Sequence, residues 1–178
     1  SRDIRHVLVL IVTEEEKKSI LENANEYSEE ARDVVKEYPG IVFYANSSEY
    51  HDTNMTSYFV RMYQARFLAG IVAGMKSVND KIGYVAAMQN NEVNRGINAF
   101  TLGVRSVNPN AEVVVGWTGE WDNEVAEKEM AENLIEKDSV DVLTYHQNCS
   151  YVVDVAEDRD VYSIGYHIAP EHASGKNL

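Results

Sequence analysis

KIGYVAAM (residues 81–88), AEVVVGW (111–117), DVLTYH (141–146) and VYSIG (161–165) are four short apolar runs, and each intervening segment is long enough for one helix. Short β-branched runs alternating with amphipathic helical patterns read as consecutive β-α-β units, hence a parallel sheet covered by helices. In such sheets ligands sit in the crevice outside the carboxyl ends of the strands. Met88-Gln89-Asn90-Asn91, Trp117, Trp121, His146-Gln147-Asn148 and Tyr166-His167 follow those ends and are the first places to look for function.

The pattern continues in both directions. Between the runs, residues 92–107 put Val93, Ile97, Phe100, Val104 and Val107 on one helical face. Gly96, Ala99 and Gly103 cluster on another part of that helix. Glycine inside a helix costs about 1 kcal/mol relative to alanine, so two of them predict a close backbone approach. Asn108-Pro109 stops the helix. Residues 123–137 form the next one, with Val125, Met130, Leu134 and Ile135 predicted inward, and a short helix follows Cys149.

Upstream, residues 6–12 read as a strand, and Thr13 with Glu16 is a capping-box signature for a helix. Helical spacing persists to Tyr38, in one helix or in two broken near Tyr27-Ser28, and Pro39-Gly40 ends it. Residues 41–45 are a strand, 46–54 a polar loop, and 56–78 a helix containing Ala69, Gly70, Ala73 and Gly74. The expected organisation is a partial first lobe over residues 1–79 and a βαβαβαβ second lobe over 80–167. Residues 168–178 follow as an irregular tail or a crossover.

The bulk properties exclude several classes. With 178 residues the chain can bury a sizeable core. A net charge of −13 and no cluster of Lys and Arg argue against nucleic acid or an anionic membrane surface as partner. Many of the 29 acidic residues fall within residues 14–37 and 120–138, where they read as solvated helix faces. The one cysteine, Cys149, leaves no internal disulfide and no multi-cysteine metal site. No apolar run approaches membrane-spanning length, and residues 7–12 are too short and wrongly flanked for a secretory signal.

Four chemistries compete for the strand ends. Cys149 lies three residues after His146 at an expected helix start, where a thiolate would be stabilised, but nothing identifies a third orienting group. His146, His167 and His172 match no closed zinc pattern. Phosphate binding needs a Gly-rich turn, and the turn after KIGYVAAM is Gln89-Asn90-Asn91. The remaining reading is a small planar or polar ligand. Trp117 reads as a plug of the sheet end, whereas Trp121, between Glu120 and Asp122 in a loop before a helix, can offer a flat face to a ring. His146 and Tyr166 end the next two strands and are expected in the same crevice.

YFVRMYQARFLAGIVAG (58–74), KIGYVAAM, EVNRGINAFTLGVRSVNP (92–109), the two tryptophans, DVLTYH and VYSIGY together resemble the basic membrane protein family, over roughly residues 41–166. These are solute-binding lipoproteins of ABC importers with a type I periplasmic-binding-protein fold. The resemblance implies two α/β lobes that close on a ligand, typically a purine base or nucleoside, without catalysis or cofactor. It makes Trp121 the ring-stacking aromatic and matches Glu92, His146 and Tyr166 to family positions; Met88 and Asn91, from their place after the first strand, complete the expected ligand-binding set with Asn46. Arg95 belongs to the same pattern, and Asn46 falls where some members have aspartate. The position after Tyr166, usually Asp or Asn, is His167, and Ala169-Pro170 replace a further acidic residue.

Members of the family have elements before residue 6 and after Tyr166 that this sequence lacks, so it reads as the middle of that fold, cut at both ends. It is expected to be extracytoplasmic, anchored through a segment absent from this chain, with an ABC permease or a membrane-linked signalling protein as partner. A ligand-sensing domain is the alternative function, and a Cys/His hydrolase a weaker one. Open sheet edges of an incomplete lobe predict a homodimer.

Overall fold

The computed structural model describes residues 28–46, 51–167 and 176–178. The expected strand at 6–12, the capping box at Thr13 and the loop residues 47–50 lie outside them. The chain forms two compact units, dividing between Val60 and Arg61.

In the first unit, helix α1 (Ser28–Glu37) precedes strands β1 (Phe43–Asn46) and β2 (Met55–Tyr58), which pair in parallel from Phe43↔Met55 to Asn46↔Tyr58. The Asn54 side chain closes the turn after α1, donating to the carbonyls of Val35, Tyr38 and Ile41 at 3.0–3.2 Å. Among the described residues of this unit, Val35 and Met55 are buried apolar side chains. Strand β2 occupies residues where helical spacing was expected from Thr56 onward. Pairing with β1 decides the conformation there, and the helix starts only at Met62.

The second unit is helix α2 (Met62–Lys76) followed by β3 (Lys81–Ala86), α3 (Asn91–Val107), β4 (Glu112–Trp117), α4 (Glu124–Asp138), β5 (Val142–His146), α5 (Tyr151–Asp158) and β6 (Tyr162–Ile164). All four strands are parallel, in the order β4-β3-β5-β6. Every strand and helix expected between residues 81 and 165 is present, with bounds shifted by one or two residues. Asn90 and Asn123 cap α3 and α4, their side chains accepting from the Val93 and Ala126 amides at 2.9 and 3.0 Å. Beyond β6, residues 176–178 lie alongside it: Ser163 donates to the Lys176 carbonyl, and Leu178 donates to the Ser163 carbonyl.

Alternation along the strands makes two cores. Ile82, Tyr84, Ala86, Val142 and Ile164 pack with Ala73, Val93, Phe100 and Val104 of α2 and α3. On the other face Val85, Leu143 and Tyr145 pack with Ala131, Leu134, Val152 and Val153 of α4 and α5. Of the residues expected inward on α4, Leu134 is buried and Met130 and Ile135 half-buried, but Val125 is 64% exposed.

The boundary falls earlier than residue 79 because α2 packs on α3. A Cβ at Gly70 would overlap the Phe100 carbonyl oxygen, one at Gly74 would lie 2.8 Å from the Val104 oxygen, and one at Gly103 would overlap the Phe67 oxygen. The two helices meet backbone to backbone through these glycines, so α2 belongs to the second unit.

Candidate functional site

The parallel register puts Ala86, Trp117 and His146 level at the carboxyl ends of β3, β4 and β5. His146 is the hub of this edge. Its Nε2 and the Tyr166 hydroxyl share a hydrogen bond of 3.0 Å, and Glu92 Oε1 lies 3.8 Å from the same nitrogen. The Trp121 ring meets the imidazole edge-on at 6.0 Å, and the Tyr166 ring stands tilted at 4.4 Å. Glu92, Trp121, His146 and Tyr166, drawn from four separate segments, are thus brought together.

Burial separates their roles. His146 is only 3% exposed, whereas Glu92, Trp121 and Tyr166 are partly open to solvent. The Nδ1 atom of His146 has no hydrogen-bond partner among the described residues and looks back toward Gly96, where a Cβ would lie 3.4 Å from both it and the Tyr84 hydroxyl. His146 therefore holds the others in place from behind. Burial pushes its imidazole below the usual range, with Glu92 opposing and Arg66 reinforcing that shift.

Other expected residues are elsewhere. Met88 lies half-buried in the turn after β3. Asn91 and Arg95 line an open groove of about 460 Å³ with Tyr63, Asn94 and Leu102. Asn46 ends β1 in the first unit. His172 lies outside the described residues.

Two buried ionisable residues went unnoticed in the sequence. Arg66 of α2 is 3% exposed and crosses beneath the site. Its guanidinium lies 4.0 Å from the centre of the Tyr166 ring and 5.3 Å from that of Tyr84, and it donates to the Tyr145 carbonyl at 2.7 Å. The spacing of α2 places Arg66 with Gly70 and Ala73 on the inward face, a signal present but outweighed by the polarity of arginine. Glu127 occupies an inward position of α4, in a stretch expected to be a solvated acidic face. It is fully buried, with Oε1 accepting from the Asn123 amide at 3.3 Å and Oε2 without a partner among the described residues.

Glu127 lies under the loop that carries Trp121. That loop is pinned by the Asn148 amide donating to the Trp121 carbonyl at 2.8 Å and by Gln147 Nε2 donating to Thr118 Oγ1 at 2.8 Å. The Cys149 thiol donates to Asp122 at 3.3 Å. Burial and Asp122 push that thiol up to about 11, so it is protonated at neutral pH and no thiolate is stabilised at the start of α5.

Burial raises the Glu127 carboxyl to about 7, with the Asn123 amide opposing. Between pH 4.5 and 7 the native state then binds more protons than the unfolded chain, so this group's stabilising contribution declines as pH rises and is lost above about 7. Glu127→Gln is expected to melt higher than the parent at pH 8, by up to about 3 kcal/mol in unfolding free energy, and to differ little at pH 4.5. Thermal melts of both proteins across that range check it.

Comparison with known proteins bears on this arrangement. Residues 12–174 match the family described as ABC transporter substrate-binding protein, PnrA-like. A protein of Haloferax volcanii provisionally named an ABC transporter glucose-binding protein is 38% identical over 81% of the chain. A purine-binding protein of Brucella abortus is 33% identical over 74% of it. The chain spans 37% of the length of each. Among solved structures, a transcriptional activator of the comK gene from Bacillus halodurans aligns with a TM-score of 0.64 and 27% identity, over 80% of this chain and 49% of that one. A solute-binding protein of an ABC transporter system from Conexibacter woesei aligns with a TM-score of 0.56 and 25% identity, over 74% and 45%.

Proposed function

The chain belongs to the PnrA-like family of ABC transporter substrate-binding proteins, and from that premise we propose that it binds a purine base or nucleoside outside the cytoplasm and delivers it to an ABC permease. Binding proceeds by lobe closure, without chemistry on the ligand. The observation that carries this reading is the convergence of Trp121, Glu92 and Tyr166 on the buried His146 at the carboxyl edge of the sheet. Trp121 supplies a flat apolar face for a ring, while the Glu92 carboxylate and the Tyr166 hydroxyl supply directed polar contacts at its edge. The same reading keeps the expected homodimer, formed through exposed sheet edges of the incomplete lobe.

A second ligand class is favoured by the name of the Haloferax volcanii relative: a hexose, whose ring stacks on tryptophan and whose hydroxyls suit a carboxylate. The likeness to the comK activator favours a sensory domain as the alternative role. Thermal-shift screening against adenine, guanine, adenosine, guanosine, inosine and glucose separates the ligand classes. A purine at a hundred times its Kd is expected to add about 2.7 kcal/mol, a rise of roughly 5–10 °C for a domain of this size. A shift with glucose and none with any purine overturns the purine reading in favour of the sugar. No shift with any of them overturns binding of either class by this chain.

A further inference from the structure

Helix α2 lacks a charged outer face. Its inward side carries Arg66, Gly70, Ala73 and Gly74, all buried. The opposite side, which an amphipathic surface helix would fill with charged residues, carries Gln64, Leu68, Ile71, Val72 and Met75. Leu68 is 62% exposed and Met75 72%, Val72 is also exposed, and Ile71 is half-buried. A contiguous apolar surface of this kind marks a place where another molecule docks. Gln64, Leu68, Ile71 and Met75 follow one another at intervals of four, three and four residues, which is the spacing of a coiled-coil seam.

Charge identifies the occupant. With a net charge of −13, copies of this chain repel one another wherever their carboxylates meet. Helix α4 carries carboxylates along its whole length, whereas no Asp or Glu occurs from Met62 to Lys76. Two copies can therefore meet at α2 with no carboxylate of that helix between them. We propose that the outer face of α2 is a dimer interface, on which α2 of a second copy lies antiparallel about a two-fold axis. Such an isologous contact must fit itself, and the intervals four, three, four read the same from either end. Antiparallel pairing thus sets Leu68 against Ile71 of the second copy and Gln64 against its Met75. It also opposes the two helix dipoles and keeps the two Lys76 ammonium groups at opposite ends, where a parallel pair would align them. A contact of one helix about 22 Å long is small for a specific interface, so a dissociation constant on the order of 10 μM is expected. The sheet edges stay free in this dimer, and it does not depend on which ligand the chain takes.

The test is sedimentation equilibrium across roughly 1–500 μM, a range that brackets that constant. The parent is expected to pass from monomer to dimer within it. Leu68→Glu puts a carboxylate on the seam of both copies and is expected to weaken dimerisation by about a hundredfold or more. Val125→Glu, at an equally exposed apolar position on α4, is the control and is expected to dimerise as the parent does. Met75→Glu is read in the same way as Leu68→Glu, so the result does not hang on one variant folding. A parent that stays monomeric throughout overturns both this interface and the sheet-edge homodimer. A parent dimer that Leu68→Glu and Met75→Glu leave intact overturns this interface alone and places the contact elsewhere, as at a sheet edge. Cross-linking reads the direction: in a Cys149→Ser background, a mixture of Leu68→Cys and Ile71→Cys chains is expected to form disulfide dimers faster than either chain alone. Fastest cross-linking by Leu68→Cys alone overturns the antiparallel order.

Discussion

Gly103→Ala is expected to lower the melting temperature by roughly 4–8 °C, a large change for a single methyl group. The added Cβ would overlap the Phe67 carbonyl oxygen and lie 3.0 Å from its carbon and 3.1 Å from the Gly70 Cα. All three are backbone atoms on the facing helix, so no side chain can swing aside. Helices α2 and α3 would have to separate along their whole contact. Overpacking of this kind costs about 3 kcal/mol or more, and the better helix propensity of alanine returns about 1 kcal/mol. Gly165→Ala is the control, because a Cβ there meets nothing within 4 Å. Equal melting of the two variants would show that the helices do not approach through Gly103. Separation would also withdraw Arg66 from Tyr166, so the same variant is expected to weaken ligand binding.

Trp121→Ala is expected to weaken binding of the responsive ligand by roughly 10- to 100-fold. Stacking a base on an aromatic side chain contributes about 1–3 kcal/mol, and each 1.4 kcal/mol is about tenfold in affinity. Trp121→Phe keeps a flat face and is expected to retain most of the affinity. The indole packs partly against the core, but the loop is also held by backbone and by Gln147, Cys149 and Glu127, so the alanine variant should stay folded. Calorimetric titration of the three proteins reads the effect. Parent-like affinity in Trp121→Ala would remove Trp121 from the site.

Much of the site was legible because strand ends are a topological address. Once 81–86, 112–117 and 142–146 are parallel strands, their carboxyl ends must lie along one edge, and the residues just beyond must meet there. That reasoning brought Trp121, His146 and Tyr166 to one edge as candidates, and the family pattern added Glu92, which the structure places beside them. It could not separate a ligand-facing residue from the one behind it: His146 turned out to be buried, with its neighbours around it. Arg66 and Glu127 escaped for a related reason. Both sit at inward helical positions, but composition alone assigns arginine and glutamate to solvent, and only the neighbours reveal what offsets their burial.

The order of strands and helices from Lys81 onward and the edge at which the candidate residues gather were set by the sequence itself, since periodicity is a local property of the chain. Tertiary structure decided that 55–58 is a strand, that α2 joins the second unit, and that Arg66 and Glu127 are buried. Periodicity says which residues share a face; what that face meets depends on segments far apart in the chain, such as Gly103 against Phe67 or Arg66 beneath Tyr166.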